Sequence, residues 1–116
     1  MPSLNFTVFI DKIESGFKTQ TIRSKRKVPI QDGDTLYLYT GMRQKGCRKL
    51  GERKCLRASE IEIDSDNLSV RINGRELAPF EIKAVAKCDG FETVHDFFAF
   101  FARPDSLFIG QLIEWN

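Results

Sequence analysis

Gly16-Phe17-Lys18-Thr19-Gln20-Thr21-Ile22-Arg23 is the stretch from which the chain is read. A short helical run ends at Gly16, as helices commonly end at glycine. Thr19 to Arg23 carries β-branched residues with period-two polarity, which predicts a strand. On that strand Thr19, Thr21 and Arg23 share one face, and Ile22 points the other way into a core. Lys18 lies three residues from Thr21, so a straight strand would hold them on opposite faces. The two converge only if Lys18 still belongs to the turn that Gly16 makes. The rest of the chain reads as a small barrel holding this segment over a basic cleft.

Working outward, Ser3 to Ile10 alternates and then passes into near-helical spacing, a strand handing over to a short helix. Ser24 to Gln31 is a basic loop, and Asp32-Gly33-Asp34 is a turn. Thr35 to Thr40 alternates cleanly and predicts a strand. Gly41 ends it, and the basic segment to Lys54 is expected to be a long surface loop or a short helix with loops. Cys47, Leu50 and Cys55 are spaced to anchor that segment to the core, and Cys47 and Cys55 read as buried thiols. Cys55 to Ile63 predicts a strand, Leu68 to Ile72 its return, and Asn73-Gly74 a hairpin turn into a short strand at Arg75 to Leu77. Pro79 opens a helix running to Cys88, with Gly90 as its stop. Thr93-Val94-His95-Asp96 resembles a capping box before the aromatic helix of Phe97, Phe98, Phe100 and Phe101. His95 is expected on the surface and the phenylalanines in the core. Leu107 to Trp115 is the last strand.

The expected fold is therefore α+β, mostly β. It is a small β-barrel of five to six strands with two to three short helices, one domain over residues 1–116. Ten phenylalanines can fill a compact core without much leucine. The net charge is only +2, but the basic residues are segregated. Two windows, Lys18 to Lys27 and Gly41 to Arg57, hold twelve of the 18 lysines and arginines. This polarity favours a phosphate-bearing partner on one side, against the plainer reading of two solvated lysine-rich loops. Three cysteines and one histidine match no metal-ligand spacing, so no metal and no cofactor are expected. The odd cysteine count without a leader segment suggests a reducing, cytoplasmic setting. No apolar run reaches membrane-spanning length.

Taken together, Gly16-x-Lys18-x-x-Thr21-x-Arg23, Gly33-Asp34, Tyr39-Thr40-Gly41-x-Arg43, Cys47-Arg48-x-Leu50, Asp89-Gly90-Phe91 and Phe108-x-Gly110-x-Leu112-Ile113-x-Trp115 resemble the pattern of ASCH domains, relatives of the PUA fold. The resemblance runs over essentially the whole chain and is to the small stand-alone bacterial or phage type. It implies a PUA-like barrel with a cleft beside the Gly-x-Lys segment. It also implies a partner that is RNA or a nucleoside or nucleotide, modified or not. Some small members remove the acetyl group of N4-acetylcytidine and others are ribonucleases. In the amidohydrolase branch a lysine and a threonine act with a glutamate from a later helix. Lys18 and Thr21 match the first two; by order along the chain the carboxylate falls at Asp89, one methylene shorter.

The residues admit two uses. As a hydrolase, Lys18 with a pKa lowered by burial and neighbouring cations would activate Thr21, and Asp89 would protonate the leaving amine or orient Lys18. As a binding site, Arg23, Lys25 and Arg26 would hold phosphate with Arg43, Arg48 and Lys49, and Tyr39 or Tyr37 would stack a base. The first expectation is a monomeric RNA- or nucleotide-binding domain, the second a small hydrolase. Trp115 is expected to close the barrel or pack a terminus.

Overall fold

One strand carries most of the architecture. The computed structural model describes residues 2–41, 45–104 and 107–115. The elements are β1 (Ser3–Phe6), α1 (Ile10–Glu14), β2 (Gln20–Ser24), β3 (Thr35–Thr40), β4 (Arg48–Asp64), β5 (Ser69–Ile72), β6 (Arg75–Glu76), α2 (Pro79–Cys88), α3 (Val94–Phe101) and β7 (Leu107–Trp115). β4 runs for 17 residues. Its first part pairs antiparallel with β3, from Thr35 opposite Lys54 to Thr40 opposite Arg48. Its second part pairs antiparallel with β7, from Cys55 opposite Trp115 to Asp64 opposite Leu107. The change of partner coincides with a bulge between Cys55 and Arg57, and a bulge bends and twists its strand.

The other strands hang from this axis. β1 lies parallel to β3, β2 antiparallel to β7, and β5 and β6 continue from the far end of β4. The class is α+β and mostly strand, as expected. The count is seven strands rather than five or six, the two-residue β6 included, and the basic segment contributes more strand than its composition suggested. Residues from Arg48 onward extend β4 instead of forming a loop or helix. Nor does the hydrogen-bonded path close into a ring among the described residues. β1 pairs with β3 alone and β2 with β7 alone, so each keeps one edge without a strand partner.

Two apolar clusters flank the β4–β7 pair. One gathers Phe91, Phe97, Phe98, Phe101 and Phe108 with Ile61, Ile63 and Val70. The other gathers Leu4, Phe6, Ile13, Leu36, Leu38 and Trp115. β7 belongs to both: Leu112 faces the first cluster and its neighbour Ile113 the second, as the two-residue period of a strand dictates. Trp115 packs edge-on to Phe6 at 6.3 Å. Cys55 is buried, but Cys47 is exposed. It precedes β4 in a turn and does not anchor the segment, so the buried-thiol reading holds for Cys55 alone. α2 starts at Pro79, with the Ala78 N–H donating to the Glu81 carboxylate at 2.9 Å. α3 is capped by Thr93, whose hydroxyl accepts from the Asp96 N–H at 3.0 Å.

Candidate functional site

Gly16 has φ +79, a conformation that favours glycine. The turn it makes brings the Lys18 N–H to the Lys12 carbonyl at 2.8 Å. Lys18 is thus still in the turn, two residues short of β2, and its side chain swings towards α2. There Asp89 forms the C-terminal cap. Lys18 Nζ donates to the Asp89 carbonyl at 2.7 Å and to Oδ1 of its carboxylate at 3.3 Å. Lys12 Nζ donates to the next carbonyl, Gly90, at 2.8 Å. Two lysines therefore complete the carbonyl end of α2, where cations are favoured. Both Lys18 and Asp89 are buried. Gln20 Nε2 donates to the Val85 carbonyl at 3.3 Å, and its side chain helps stabilise the ionised Asp89 carboxylate.

From β2, Thr21 is buried and Arg23 half-buried. Arg23 Nε donates to Thr21 Oγ1 at 3.2 Å, which leaves the threonine hydroxyl proton free to donate elsewhere. The guanidinium lies over the Phe6 ring at 4.5 Å. Phe9 supplies the floor under the lysines: Nζ of Lys12 and of Lys18 each sit 5.1 Å from its ring centre. Phe9 holds φ 58, a strained backbone for a bulky residue. Its ring lies so close to Gly90 that a Cβ there would come within 3.0 Å of it.

Lys18, Thr21, Arg23 and Asp89 line one cavity of about 220 Å³. Its walls are Asn5 to Val8, on and after β1, and Thr21 to Ser24 on β2, the sides of these strands that face no further strand among the described residues. Phe9, Phe91, Phe100, Phe101 and Phe108 supply apolar surface, and Arg103 joins from beyond α3. The seam where the sheet stays open is the cavity.

Burial pushes the Asp89 carboxyl up to about 6, against the pull of Lys18, Gln20 and Arg23 in the other direction. Burial likewise lowers the Lys18 ammonium; Asp89 opposes this, while Arg23 and Lys12 add to it. The Arg23 guanidinium is brought down to about 10, again mainly by burial, and stays cationic at neutral pH. The carboxylate and the amine are thus drawn towards each other in affinity for a proton.

No family model, curated protein or solved structure matches this chain.

The remaining residues singled out in the sequence lie elsewhere. Arg26 lines a separate surface cavity with Val28, Pro29 and Asp34, and Lys25 is exposed. Arg48 is held by both oxygens of the Glu14 carboxylate, at 2.7 and 2.9 Å. Lys49 pairs with Glu52 at 2.9 Å and lies over Tyr37 at 5.3 Å. Tyr39 is half-buried on β3 and does not line the cavity. Arg43 falls outside the described residues. Among the described residues, no group of three or more His, Cys, Asp or Glu side chains could hold a metal ion. Sequence reasoning missed Phe9 and Arg103, which only the folding of β1 and α3 around the seam brings to the cavity, and Lys12, which stands behind it on Phe9 and the Gly90 carbonyl.

Proposed function

We propose that the chain is an ASCH-type protein whose open sheet is a PUA-like barrel left unsealed at one seam, and that the seam takes a single nucleobase of RNA or of a nucleotide. One observation carries the reading. Lys18, Thr21, Arg23 and Asp89 meet at one small aromatic-lined cavity, the arrangement expected of a largely preformed ligand site. Aromatic walls suit a planar ring, and the Thr21 hydroxyl offers a directional hydrogen bond. Titration with a panel of nucleosides and short RNA, followed by the chemical shifts of Thr21 and Phe9, tests it. Saturable shifts at those residues are expected. A panel that leaves both unmoved would overturn the reading.

A second reading is favoured by the buried Lys18–Asp89 pair. In it the cavity hydrolyses an amide on an exocyclic amine. Neutral Lys18 accepts the Thr21 hydroxyl proton as the oxygen attacks the acyl carbon. Arg23, already donating to that oxygen, favours its deprotonation. The carbon–nitrogen bond then breaks, and the departing amine takes the proton from Lys18. Water hydrolyses the acyl-threonine, giving a carboxylic acid and restoring the hydroxyl. Asp89 holds Lys18 in place throughout. Incubation with N4-acetylcytidine should release cytidine and acetate, and Lys18→Ala should abolish turnover. Undiminished turnover in that variant would exclude the lysine mechanism.

A further inference from the structure

Arg48, Arg57 and Arg75 are each held by a glutamate. The two arginines that line the seam cavity are not: neither forms an ion pair with a carboxylate among the described residues. Arg23 donates to Thr21 and lies on Phe6. Arg103 is exposed, donates Nη1 to its neighbour Ala102 at 3.0 Å, and lies on Phe108 at 5.0 Å. An aromatic face fixes the plane of a guanidinium and leaves its in-plane N–H groups to donate, the geometry that binds phosphate in pairs of hydrogen bonds.

The charge balance points the same way. Lys18, Arg23 and Arg103 face the cavity against Asp89 alone, a surplus of two positive charges when Asp89 is ionised. A phosphate monoester carries about two negative charges at neutral pH. The size of the cavity limits what else it holds. An apolar cavity of roughly 150 Å³ accommodates benzene, so about 220 Å³ holds one six-membered ring and a few further atoms. A sugar and phosphate would then lie on the solvent side, where Arg103 is.

We infer that the seam binds a pyrimidine-sized ring carrying a terminal phosphate monoester, with Arg103 and Arg23 holding the phosphate. The inference rests on the nucleobase reading above and adds to it a ligand class and a residue, Arg103, that selects the phosphorylated form.

Calorimetric titration of the full chain tests it, with cytidine, cytidine 5′-monophosphate, inorganic phosphate and an unphosphorylated short RNA at one salt concentration and neutral pH. The monophosphate is expected to bind about tenfold tighter than cytidine or more, in line with paired charge-assisted bonds. Arg103→Ala should bring that ratio towards unity, and Arg57→Ala, on the Glu114 side of β4, should leave it intact. If cytidine binds but the phosphate adds nothing, or the ratio survives Arg103→Ala, the inference fails and the nucleobase reading stands. If neither cytidine nor the monophosphate binds, both fail. Inorganic phosphate binding as tightly as the monophosphate removes the ring from the argument and overturns it. So does unphosphorylated RNA binding more tightly with the same loss in Arg103→Ala, since the arginines would then serve internal phosphodiesters.

Discussion

Lys18 does two things with one nitrogen. It satisfies the end of α2 through the Asp89 carbonyl and faces the cavity beside the Asp89 carboxylate. Asp89 is the main group holding the amine's affinity for its proton up against burial. Asp89→Asn should therefore lower the Lys18 titration midpoint below its wild-type position, as read from the NMR shift of its Cε; an unchanged or higher midpoint would contradict the electrostatics. Asp89 itself makes a stability prediction. Its carboxyl rises from 3.8 to about 6 on folding. Its contribution to stability is thus fully present below pH 3.8 and lost as pH rises through about 6, since between those values the native state binds the extra proton. The loss is about 3 kcal/mol at most. Urea unfolding across that range should show wild type losing stability relative to Asp89→Asn as pH rises. A difference that is flat or grows with pH would be inconsistent with a desolvated carboxyl. Asp89 was legible in the sequence as a carboxylate at the end of a helix; that it meets Lys18 follows from the Gly16 turn, which local spacing allowed but did not require.

The elements whose ends are written in local chemistry were legible to the residue. β3 alternates between Thr35 and Thr40, α2 begins at a proline and stops before Gly90, and β7 fills both clusters with adjacent side chains. The start of β4 was not legible. Arg48 to Lys54 has no clean alternation, two glycines flank or interrupt it, and most of its side chains face solvent; it is a strand because β3 supplies the partner edge, a tertiary cause no window of sequence contains. Two substitutions probe how elements hold the site. Phe97 is fully buried, with Phe91, Phe98 and Phe101 rings within 5.2 to 5.7 Å. Phe97→Ala should cost about 3–5 kcal/mol in chemical unfolding, and a loss below about 1 kcal/mol would mean the cluster is not the core of that side. Gly110 sits where a Cβ would collide with the Arg23 carbonyl, opposite Ser24 in the β2–β7 register. Gly110→Ala should force β2 away from β7, costing about 1–3 kcal/mol and weakening ligand binding through the displaced Thr21 and Arg23. Wild-type affinity in a stably folded Gly110→Ala variant would show that β2 does not position the site.

At the scale of the whole molecule, the basic residues segregated in the sequence differ in whether folding leaves them paired. Folding gives several of them acidic partners that are remote in the chain: Glu14 for Arg48 and Glu114 for Arg57. Others stay uncommitted; Lys25 and Lys27 are exposed and form no ion pair among the described residues. The same folding leaves a seam between β1 and β2, whose neighbours along the sheet path are far from them in sequence, so a cleft beside the Gly16 turn was legible but its origin in an unclosed sheet was not. These two facts make a distinction measurable on single-stranded RNA. Each phosphate contact contributes a slope of about −0.7 to the dependence of log affinity on log salt. Replacing Lys25 and Lys27 with alanine should make the slope shallower by about 1.4, because both charges are free to displace counterions. Replacing Arg48 and Lys49 should change it by less than half as much, since a phosphate gained there must displace Glu14 or Glu52. The reverse ordering would place the RNA along β4 rather than beside the seam, and would separate strand binding from the cavity altogether.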